Sequence, residues 1–258
     1  MTDRMQVMIE IKDLHKTFGG NLVLNGVNLT INTGETLVII GRSGCGKSVL
    51  LKHITALMEP DSGTIMIEGK DMFSLSNQEQ DEIRLKIGMV FQGAALFDSL
   101  DVAENVGYSL IEHTKMAPEA IAEKVREKLR LVGLGSIEEV MPSDLSGGMK
   151  KRVSLARAIC NDPKIVLYDE PTTGLDPINS DVINDLILRM QEKLKVTSIV
   201  VTHDMTSAYK VGNRIAMLYD GKIIGSGTPD EIKNTTDPVI RQFITGSAKG
   251  PITEGKDR

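Results

Sequence analysis

The sequence predicts an α/β protein with a mostly parallel sheet, and two observations support that prediction. Short apolar runs typical of buried strands recur along the chain, and segments with helical periodicity alternate with them. The clearest runs lie at residues 7–11, 37–40, 65–67, 88–91, 165–168, 198–201 and 215–219. Within the first forty residues the runs are joined by turns such as 18–21, so that part is expected to be strand-rich.

Helices are expected at about 46–57, 118–132, 147–159 and 181–194. In the second of these, Ile121, Val125 and Leu129 share one face, and Pro118 lies in the first turn. Because residues 93–161 are rich in helical segments, we expect them to form an inserted α-helical subdomain. The predicted organisation is one domain over residues 1–245, followed by a flexible tail over 246–258.

Composition and charge narrow the function classes. The chain has 258 residues, 41% of them hydrophobic, which is ordinary for a globular protein. Its longest apolar run, 215–219, is far short of the roughly 20 residues of a membrane-spanning helix, so any work at a membrane should need a partner. The net charge of −5 argues against nonspecific binding of nucleic acid. Two cysteines, Cys45 and Cys160, make no disulfide framework and indicate a reducing, cytosolic compartment.

A glycine-rich loop at residues 41–48 matches the P-loop pattern, with a predicted strand before it and a predicted helix after it. Its glycines let backbone amides point at phosphate oxygens, and the following helix directs its positive end at the same place. Lys47 is expected to neutralise the β and γ phosphates, and the Ser48 hydroxyl to ligate Mg²⁺. The candidate nucleotide-binding residues are Gly41, Arg42, Ser43, Gly44, Cys45, Gly46, Lys47, Ser48 and Val49.

Polar side chains at the ends of other predicted strands are the candidates for catalysis. Asp169 and Glu170 end an apolar run, where Asp169 is suited to hold Mg²⁺ through water and Glu170 to orient and deprotonate the attacking water. His203 is placed to hydrogen-bond the γ-phosphate, and Gln92 to touch both Mg²⁺ and water. An acidic pair after a strand is often only a solvated loop, but the P-loop ahead of it favours the catalytic interpretation.

A second glycine motif precedes the helix expected at 147–159. It consists of Leu145, Ser146, Gly147, Gly148 and Met149, and it offers a hydroxyl, bare amides and a helix start to an anion. One nucleotide bound between the P-loop of one copy and this motif of another would explain both motifs. A glycine-capped helix start without a ligand is the alternative interpretation.

Taken together, the order and spacing of these motifs over about residues 7–235 resemble the nucleotide-binding subunits of ABC transporters. The resemblance implies a P-loop NTPase core, an N-terminal antiparallel β subdomain, an inserted helical subdomain, and hydrolysis of ATP with Mg²⁺. It implies that Phe18 stacks on adenine and that Leu175 and Asp176 lie at a dimer interface. It also implies a head-to-tail homodimer that drives integral-membrane permease subunits from the cytoplasmic face of the inner membrane.

Residues 96–106, 142–152 and 167–177 further resemble the Mla-type, Mce-associated phospholipid transport ATPases. In such systems the partners are a multi-pass permease, an Mce-type lipid-binding protein and often a small STAS-domain subunit. Met149 stands where most ABC signatures have Gln, which removes one polar side chain from the implied dimer seam. Because this subunit contacts the permease and not the cargo, the cargo and the direction of transport stay open.

The alternatives are an ABC importer or exporter ATPase for another cargo, a non-transport ABC ATPase acting on nucleic acid or ribosomes, and a small-molecule kinase. The second class usually has a long coiled-coil insertion or tandem ATPase domains, and this sequence has neither. A kinase has no use for the second glycine motif. In a transport ATPase we expect the surface that contacts the permease at 92–106, where Ala94, Ala95, Leu96 and Phe97 are apolar.

Overall fold

The computed structural model describes residues 6–254. Its strands are β1 Val7–Phe18, β2 Asn21–Asn32, β3 Thr36–Ile40, β4 Ser62–Ile67, β5 Lys70–Asp71, β6 Ile87–Val90, β7 Ile165–Asp169, β8 Thr197–Thr202, β9 Arg214–Tyr219 and β10 Lys222–Gly227. Its α-helices are α1 Lys47–Ile54, α2 Asn77–Arg84, α3 Val102–His113, α4 Pro118–Leu131, α5 Gly147–Ile159, α6 Pro177–Leu194, α7 Met205–Val211, α8 Pro229–Lys233, α9 Pro238–Thr245 and α10 Pro251–Glu254. Within these described residues, none of the helices has the length and apolar character that a bilayer crossing requires.

The described residues divide into two compact units. Residues 6–76 and 199–254 form the first unit, and residues 77–198 form the second. The segment expected to be helical, 93–161, lies inside the second unit, which also contains α2, β6, β7 and α6.

In the first unit, the N-terminal strands form the predicted antiparallel sheet, in the order β2-β1-β4-β5. β1 and β2 make a long hairpin that pairs Ile9 with Ile31 and Leu14 with Val27. The sequence predicted β1 only over residues 7–11. The strand runs on to Phe18 because, after register shifts, its later residues still find partners on β2.

The rest of the first unit is built around β3, which is buried along its whole length. β3 pairs in parallel with β9, aligning Val38 with Ile215 and Ile40 with Met217, and it neighbours β8 on its other side. β10 pairs antiparallel with β9. These apolar strands are the buried parallel type that the sequence predicted, and the α/β fold class is confirmed.

The second unit sets a parallel strand pair beside a group of helices. β6 and β7 align Gly88 with Val166 and Val90 with Tyr168. α3, α4 and α5 pack on one another. A Cβ atom on Gly88 would lie 2.1 Å from the backbone oxygen of Ala158, so glycine is required for α5 to lie this close to β6.

Two helix boundaries differ from the prediction, each for a local reason. α1 ends at Ile54 instead of near residue 57, since Ala56 adopts a left-handed backbone with φ of 50°. α6 begins at Pro177 instead of Asp181, because the Asp176 carboxylate accepts hydrogen bonds from the first-turn amides and starts the helix earlier.

The sequence predicted a flexible tail over 246–258, of which 255–258 lie outside the described residues. Residues 246–254 fold back onto α9. The Gln242 side chain donates to Ser247 O and to Thr253 Oγ1, and it accepts from the amide of Ile252 at 2.7 Å. Ile252 is buried. The buried amide of Gln242 therefore organises α10, which is a contact that tail composition does not reveal.

Candidate functional site

The P-loop follows β3 in the first unit, and its glycines are needed for two different reasons. A Cβ atom on Gly41 would lie 2.4 Å from Leu218 O, so the loop leaves β3 in direct contact with the backbone of β9. Gly44 and Gly46 adopt φ values of 77° and 105°, which side chains other than glycine rarely tolerate. Gly46 is also the N-cap residue of α1. The loop geometry is therefore set by its own glycines and by their contact with β9.

Lys47 is held by the loop that precedes it. Its Nζ donates to Gly41 O at 2.8 Å and to Arg42 O at 3.1 Å, and the residue is only 6% exposed. Ser48 and Val49 follow in the first turn of α1, where backbone amides have no partner within the helix. An ammonium group and helix-start amides in one loop are the donor set that phosphate oxygens prefer.

Phe18 ends β1 with its ring 40% exposed. Lys16 lies over that ring, with Nζ 5.6 Å from the centroid. Asp61 holds this part of the strand by accepting from Lys16 Nζ at 2.8 Å and from the Thr17 amide at 2.6 Å. The hydrogen bond from Lys16 is the main reason that the pKa of Asp61 is lowered. The exposed ring is available for stacking on a flat ligand.

His203 directly follows β8 and is exposed. The next residue, Asp204, caps α7 by accepting from the amides of Thr206 and Ser207, and its own amide donates to Thr202 Oγ1. His203 therefore lies in a short turn that these hydrogen bonds of Asp204 hold to β8 on one side and to α7 on the other.

In the second unit, Asp169 and Glu170 stand at the end of β7, which is buried throughout. The two residues are 8% and 7% exposed. Glu170 has a left-handed backbone with φ of 49°, and its Oε2 accepts a hydrogen bond from Thr173 Oγ1 at 3.2 Å. A backbone strained in this way at a predicted catalytic residue is typical of functional positions.

Lys151 is a residue of this region for which the sequence predicted no role. Its Nζ donates to the backbone oxygen of Gln92 and, at 3.5 Å, to the backbone oxygen of Glu170. It therefore connects two of the predicted catalytic residues within the second unit. The signal was present in the sequence, because Lys151 precedes the buried residues Ser154 and Leu155 by three and four positions and so shares their helical face.

The second glycine motif starts α5. Ser146 is the N-cap residue, and its Oγ accepts from the Met149 amide at 3.3 Å. Gly147 is exposed, and a Cβ atom there would meet no other atom within 4 Å. The helix start is therefore open to a ligand from outside the chain, while Leu145, just before it, is buried.

Asp176, predicted to lie at a dimer interface with Leu175, has a structural role in this chain. Its carboxylate accepts from the amides of Ile178 and Asn179 and from the side chain of Asn179. The side-chain hydrogen bond from Asn179 is the main cause that lowers the pKa of Asp176.

The structure divides the predicted residues between its two units. The first unit carries Phe18, the loop 41–49 and His203, and the second carries Gln92, the motif 145–149, Asp169, Glu170, Leu175 and Asp176. Cys45 and Cys160 are free thiols, and burial raises the pKa of Cys160 to about 11.

Comparison with known proteins identifies the family to which this chain is similar. The family profile described as "ABC transporter" matches residues 24–173. "Protein TRIGALACTOSYLDIACYLGLYCEROL 3, chloroplastic" of Arabidopsis thaliana is 45% identical, over 95% of this chain and 76% of its own length. "Probable ribonucleotide transport ATP-binding protein mkl" of Mycobacterium leprae is 41% identical, over 98% and 74%. "Intermembrane phospholipid transport system ATP-binding protein MlaF" of Haemophilus influenzae is 40% identical, over 96% and 94%.

Solved structures agree with the sequence relatives. The ATP-binding cassette MJ0796, determined as a dimer in a post-hydrolysis state bound to ADP and Pi, is 35% identical with a TM-score of 0.79. The match covers 86% of this chain and 99% of that one. The cbiO1 subunit of the cbiONQ ABC transporter complex from Clostridium perfringens is 30% identical with a TM-score of 0.82, over 92% and 94%.

Proposed function

Since this chain belongs to the ABC transporter family as an ATPase subunit, we propose that two copies bind ATP between them and that their closure drives a permease that moves phospholipid. The observation that carries most weight is the 35% identity, over nearly the whole chain, to a cassette solved as a dimer with ADP and Pi. The open start of α5 supports the same proposal, because it offers an anion site to a ligand that another copy holds.

Each predicted site residue has a role in this proposal that suits its chemistry. The loop amides and Lys47 bind the β and γ phosphates, and Phe18 stacks on adenine. Ser48, Asp169 and Gln92 offer hydroxyl, carboxylate and amide oxygens, which are the hard ligands that Mg²⁺ takes. When bound, Mg²⁺ neutralises charge on the phosphates.

Hydrolysis needs a group that prepares water for attack on the γ-phosphate. Glu170 accepts the proton of that water and orients it, and His203 donates a hydrogen bond to the γ-phosphate. The partner copy contributes Ser146 and the amides of Gly147 and Gly148 to the same phosphate. Each nucleotide is therefore completed by two chains, with Leu175 and Asp176 at the seam.

The dimer is tested with Glu170→Gln, which should keep ATP bound while nearly stopping its hydrolysis. Size-exclusion chromatography with ATP and Mg²⁺ should then show a stable dimer that is absent without nucleotide. The matched control adds Ser146→Arg, which places bulk and charge at the γ-phosphate and should return the chain to a monomer. A Glu170→Gln chain that stays monomeric at saturating ATP would contradict the shared site.

A groove in the second unit is the proposed contact with the permease. It encloses about 420 Å³ between α2, β6, α3 and α5, and its lining includes Met89, Phe91 and His113. Phe97 and Tyr108, which are close in sequence to residues that line the groove, are exposed. Their rings are in contact, with centroids 4.8 Å apart. Such an apolar, partly enclosed surface suits a short helix of a membrane subunit.

The surface expected from the sequence needs one correction. Ala94 was expected to offer apolar contact, but it is buried, whereas Phe97 and Tyr108 are exposed. We therefore centre the contact on Phe97. Through this contact the chain would lie at the cytoplasmic face of the inner membrane.

Phe97→Asp tests the permease contact. Purified from detergent-solubilised membranes, the parent chain should bring down a multi-pass membrane protein that mass spectrometry identifies, and Phe97→Asp should lose it. Leu57→Asp is the matched control, since Leu57 is an exposed apolar residue of the first unit. Retention of the membrane protein by Phe97→Asp would contradict this surface.

The cargo is proposed from the relatives and from the resemblance of residues 96–106, 142–152 and 167–177 to phospholipid transport ATPases. An Mce-type lipid-binding protein and a small STAS-domain subunit are then the expected further partners. The name of the mycobacterial relatives instead suggests ribonucleotides. In detergent micelles that contain the purified complex, added phospholipid should stimulate ATP hydrolysis and added ribonucleoside monophosphates should not; the reverse result would replace the lipid proposal.

A further inference from the structure

Helix α5 holds two distant backbone segments of the second unit through cationic side chains. Lys151 Nζ donates to Gln92 O and Glu170 O. Arg157, almost two turns further along the helix, donates to Ala95 O at 2.7 Å and to Ala94 O at 2.8 Å. We call this set the α5 clamp, and its members are Lys151, Arg157, Gln92, Ala94, Ala95 and Glu170.

The clamped segments are strained. Ala94, Ala95 and Glu170 have φ values of 62°, 49° and 49°, although none of them is glycine. A left-handed backbone is unfavourable at such residues and persists only where the surroundings enforce it. The carbonyl oxygen of each of these residues accepts a hydrogen bond from the clamp. Release of the clamp would therefore let all three relax.

The two cations of the clamp are partly withdrawn from water. Lys151 is 6% exposed, and Arg157 is half-buried, which lowers its pKa. Cationic side chains are rarely buried unless hydrogen bonds compensate the loss of water. These two side chains use carbonyl oxygens for that purpose, so their positions and those of the strained carbonyls depend on one another.

The same helix begins at the motif that faces the partner copy. Ser146 caps α5 five residues before Lys151, and the intervening backbone is helical. The hydrogen bonds of the helical backbone tie the position of Lys151 to that of Ser146. At the other end, α5 lies directly on β6 at Gly88, four residues before Gln92.

We propose that the α5 clamp couples the two ATP sites of the dimer. ATP held by the partner copy fixes Ser146 and hence α5, and Lys151 then sets the backbone positions of Gln92 and Glu170, which act on the chain's own ATP. This inference rests on the shared ATP site proposed above. Lys151 is a positioning residue, because it acts through Gln92 and Glu170 and not on the nucleotide.

Lys151→Met tests the coupling, since it keeps the length of the side chain but removes its donors. ATP hydrolysis by the full chain is measured against ATP concentration. The parent should show a Hill coefficient clearly above 1, and Lys151→Met should reduce it to about 1 and lower kcat about tenfold. The half-saturating ATP concentration should change by less than about twofold, because the phosphate-binding groups are untouched.

Two further variants separate positioning from general stability. Lys151→Arg retains donors to the carbonyls and should recover most of the Hill coefficient. Lys128→Met removes another buried lysine of the second unit, one that bonds to Asp162 and Glu127 and is not part of the clamp. It should lower the melting temperature and leave the Hill coefficient unchanged. An equal loss of cooperativity in Lys128→Met would overturn the proposal.

Other results of these experiments would also overturn the proposed coupling. A parent Hill coefficient of 1, or an unchanged coefficient in Lys151→Met, overturns the coupling. If Lys151→Met does not fold, Lys151→Gln replaces it: the shorter neutral side chain loses the charge and the reach to the two carbonyls, and a coefficient equal to the parent's overturns the coupling. Failure of Glu170→Gln to dimerise rejects the shared site itself, whereas dimerisation with an unchanged Hill coefficient in Lys151→Met rejects only the coupling.

Discussion

The P-loop and the α5 clamp solve the same physical problem by opposite means. In both, a buried lysine donates to two backbone carbonyls next to left-handed residues. In the P-loop the left-handed residues are glycines, and Lys47 bonds to oxygens only five and six positions away. In the clamp the strained residues are Ala94, Ala95 and Glu170, and Lys151 reaches 59 positions back to Gln92.

The difference indicates which region is preformed and which is adjustable. Glycine adopts the required angles without strain, so the P-loop needs no distant side chain to hold them. The segments at Gln92 and Glu170 combine local turn bonds, such as the one from the Thr173 amide to Glu170 O, with the tertiary bonds from Lys151, so moving α5 changes them. A preformed phosphate loop in one unit and adjustable catalytic groups in the other are what the coupling proposed above requires.

The largest effect is expected at Gly41. Gly41→Ala places a Cβ atom 2.4 Å from Leu218 O, where only backbone movement relieves the clash. We expect a loss of about 3 kcal/mol in the free energy of unfolding. Gly44→Ala is the control, since nothing lies within 4 Å there and only its φ of 77° is unfavourable, at about 1 kcal/mol. Calorimetric melting compares them; equal losses would contradict the steric account of the preformed loop.

The next largest effect is a difference in ATP affinity between variants of the two lysines, Lys47 and Lys151. Lys47→Met should weaken ATP binding about 100-fold, because a charge that faces the triphosphate is lost. Lys151→Met should weaken it less than about threefold, because its contacts are to backbone oxygens. Isothermal titration of each variant with ATP and Mg²⁺ measures the difference. Similar ATP affinities for the two variants would contradict the distinction between the P-loop and the α5 clamp.

A smaller effect is expected from relieving strain within the clamp. Ala95→Gly should change stability by less than about 1 kcal/mol, since the relief at φ of 49° is offset by the greater entropy of the unfolded chain. Arg157→Lys should cost about 1–2 kcal/mol in the parent and less in the Ala95→Gly background. Melting of all four chains completes the double-mutant cycle. Additive losses would show that Arg157 does not support the strained residue.

The smallest effect is the loss of stability in acid, and it concerns α1, the helix that follows the P-loop. His53 in α1 is fully buried and its ring Nδ1 bonds Val49 O, and burial lowers its pKa. Its lowered pKa means that the unfolded chain binds more protons, so stability is lost as pH falls below about 6.5. His53→Asn keeps a donor for Val49 O and cannot protonate, so it should lose less stability than the parent between pH 7.5 and 5.5, by under about 1 kcal/mol. Parallel melting curves across that range would contradict this role of His53.

The sequence predicted the regions whose geometry is local. The order of the P-loop residues, the strand ends at Asp169 and His203, and the Ser146 cap each depend on neighbours in the chain, so their patterns are readable. The clamp cannot be predicted in this way, because Lys151 and Arg157 bond to residues between 19 and 63 positions away. Helical periodicity places Lys151 on a buried face, but it does not say which carbonyls the ammonium meets.

The same limit explains the ends of the elements. The start of α6 depends on whether Asp176 caps a helix, and α10 depends on a buried glutamine, Gln242, on the preceding helix. Composition marks both stretches as polar and does not reveal these hydrogen bonds.

Complementation between two inactive chains tests the shared site most directly. In the Glu170→Gln background, Lys47→Ala destroys one half of each pocket and Ser146→Arg destroys the other half, so neither variant alone should dimerise with ATP. Mixed together, they can form a heterodimer with one intact pocket. Size-exclusion chromatography of the mixture should show an ATP-dependent dimer that retains about one nucleotide per two chains. A mixture that stays monomeric, with both variants folded, would contradict a nucleotide pocket built from two copies.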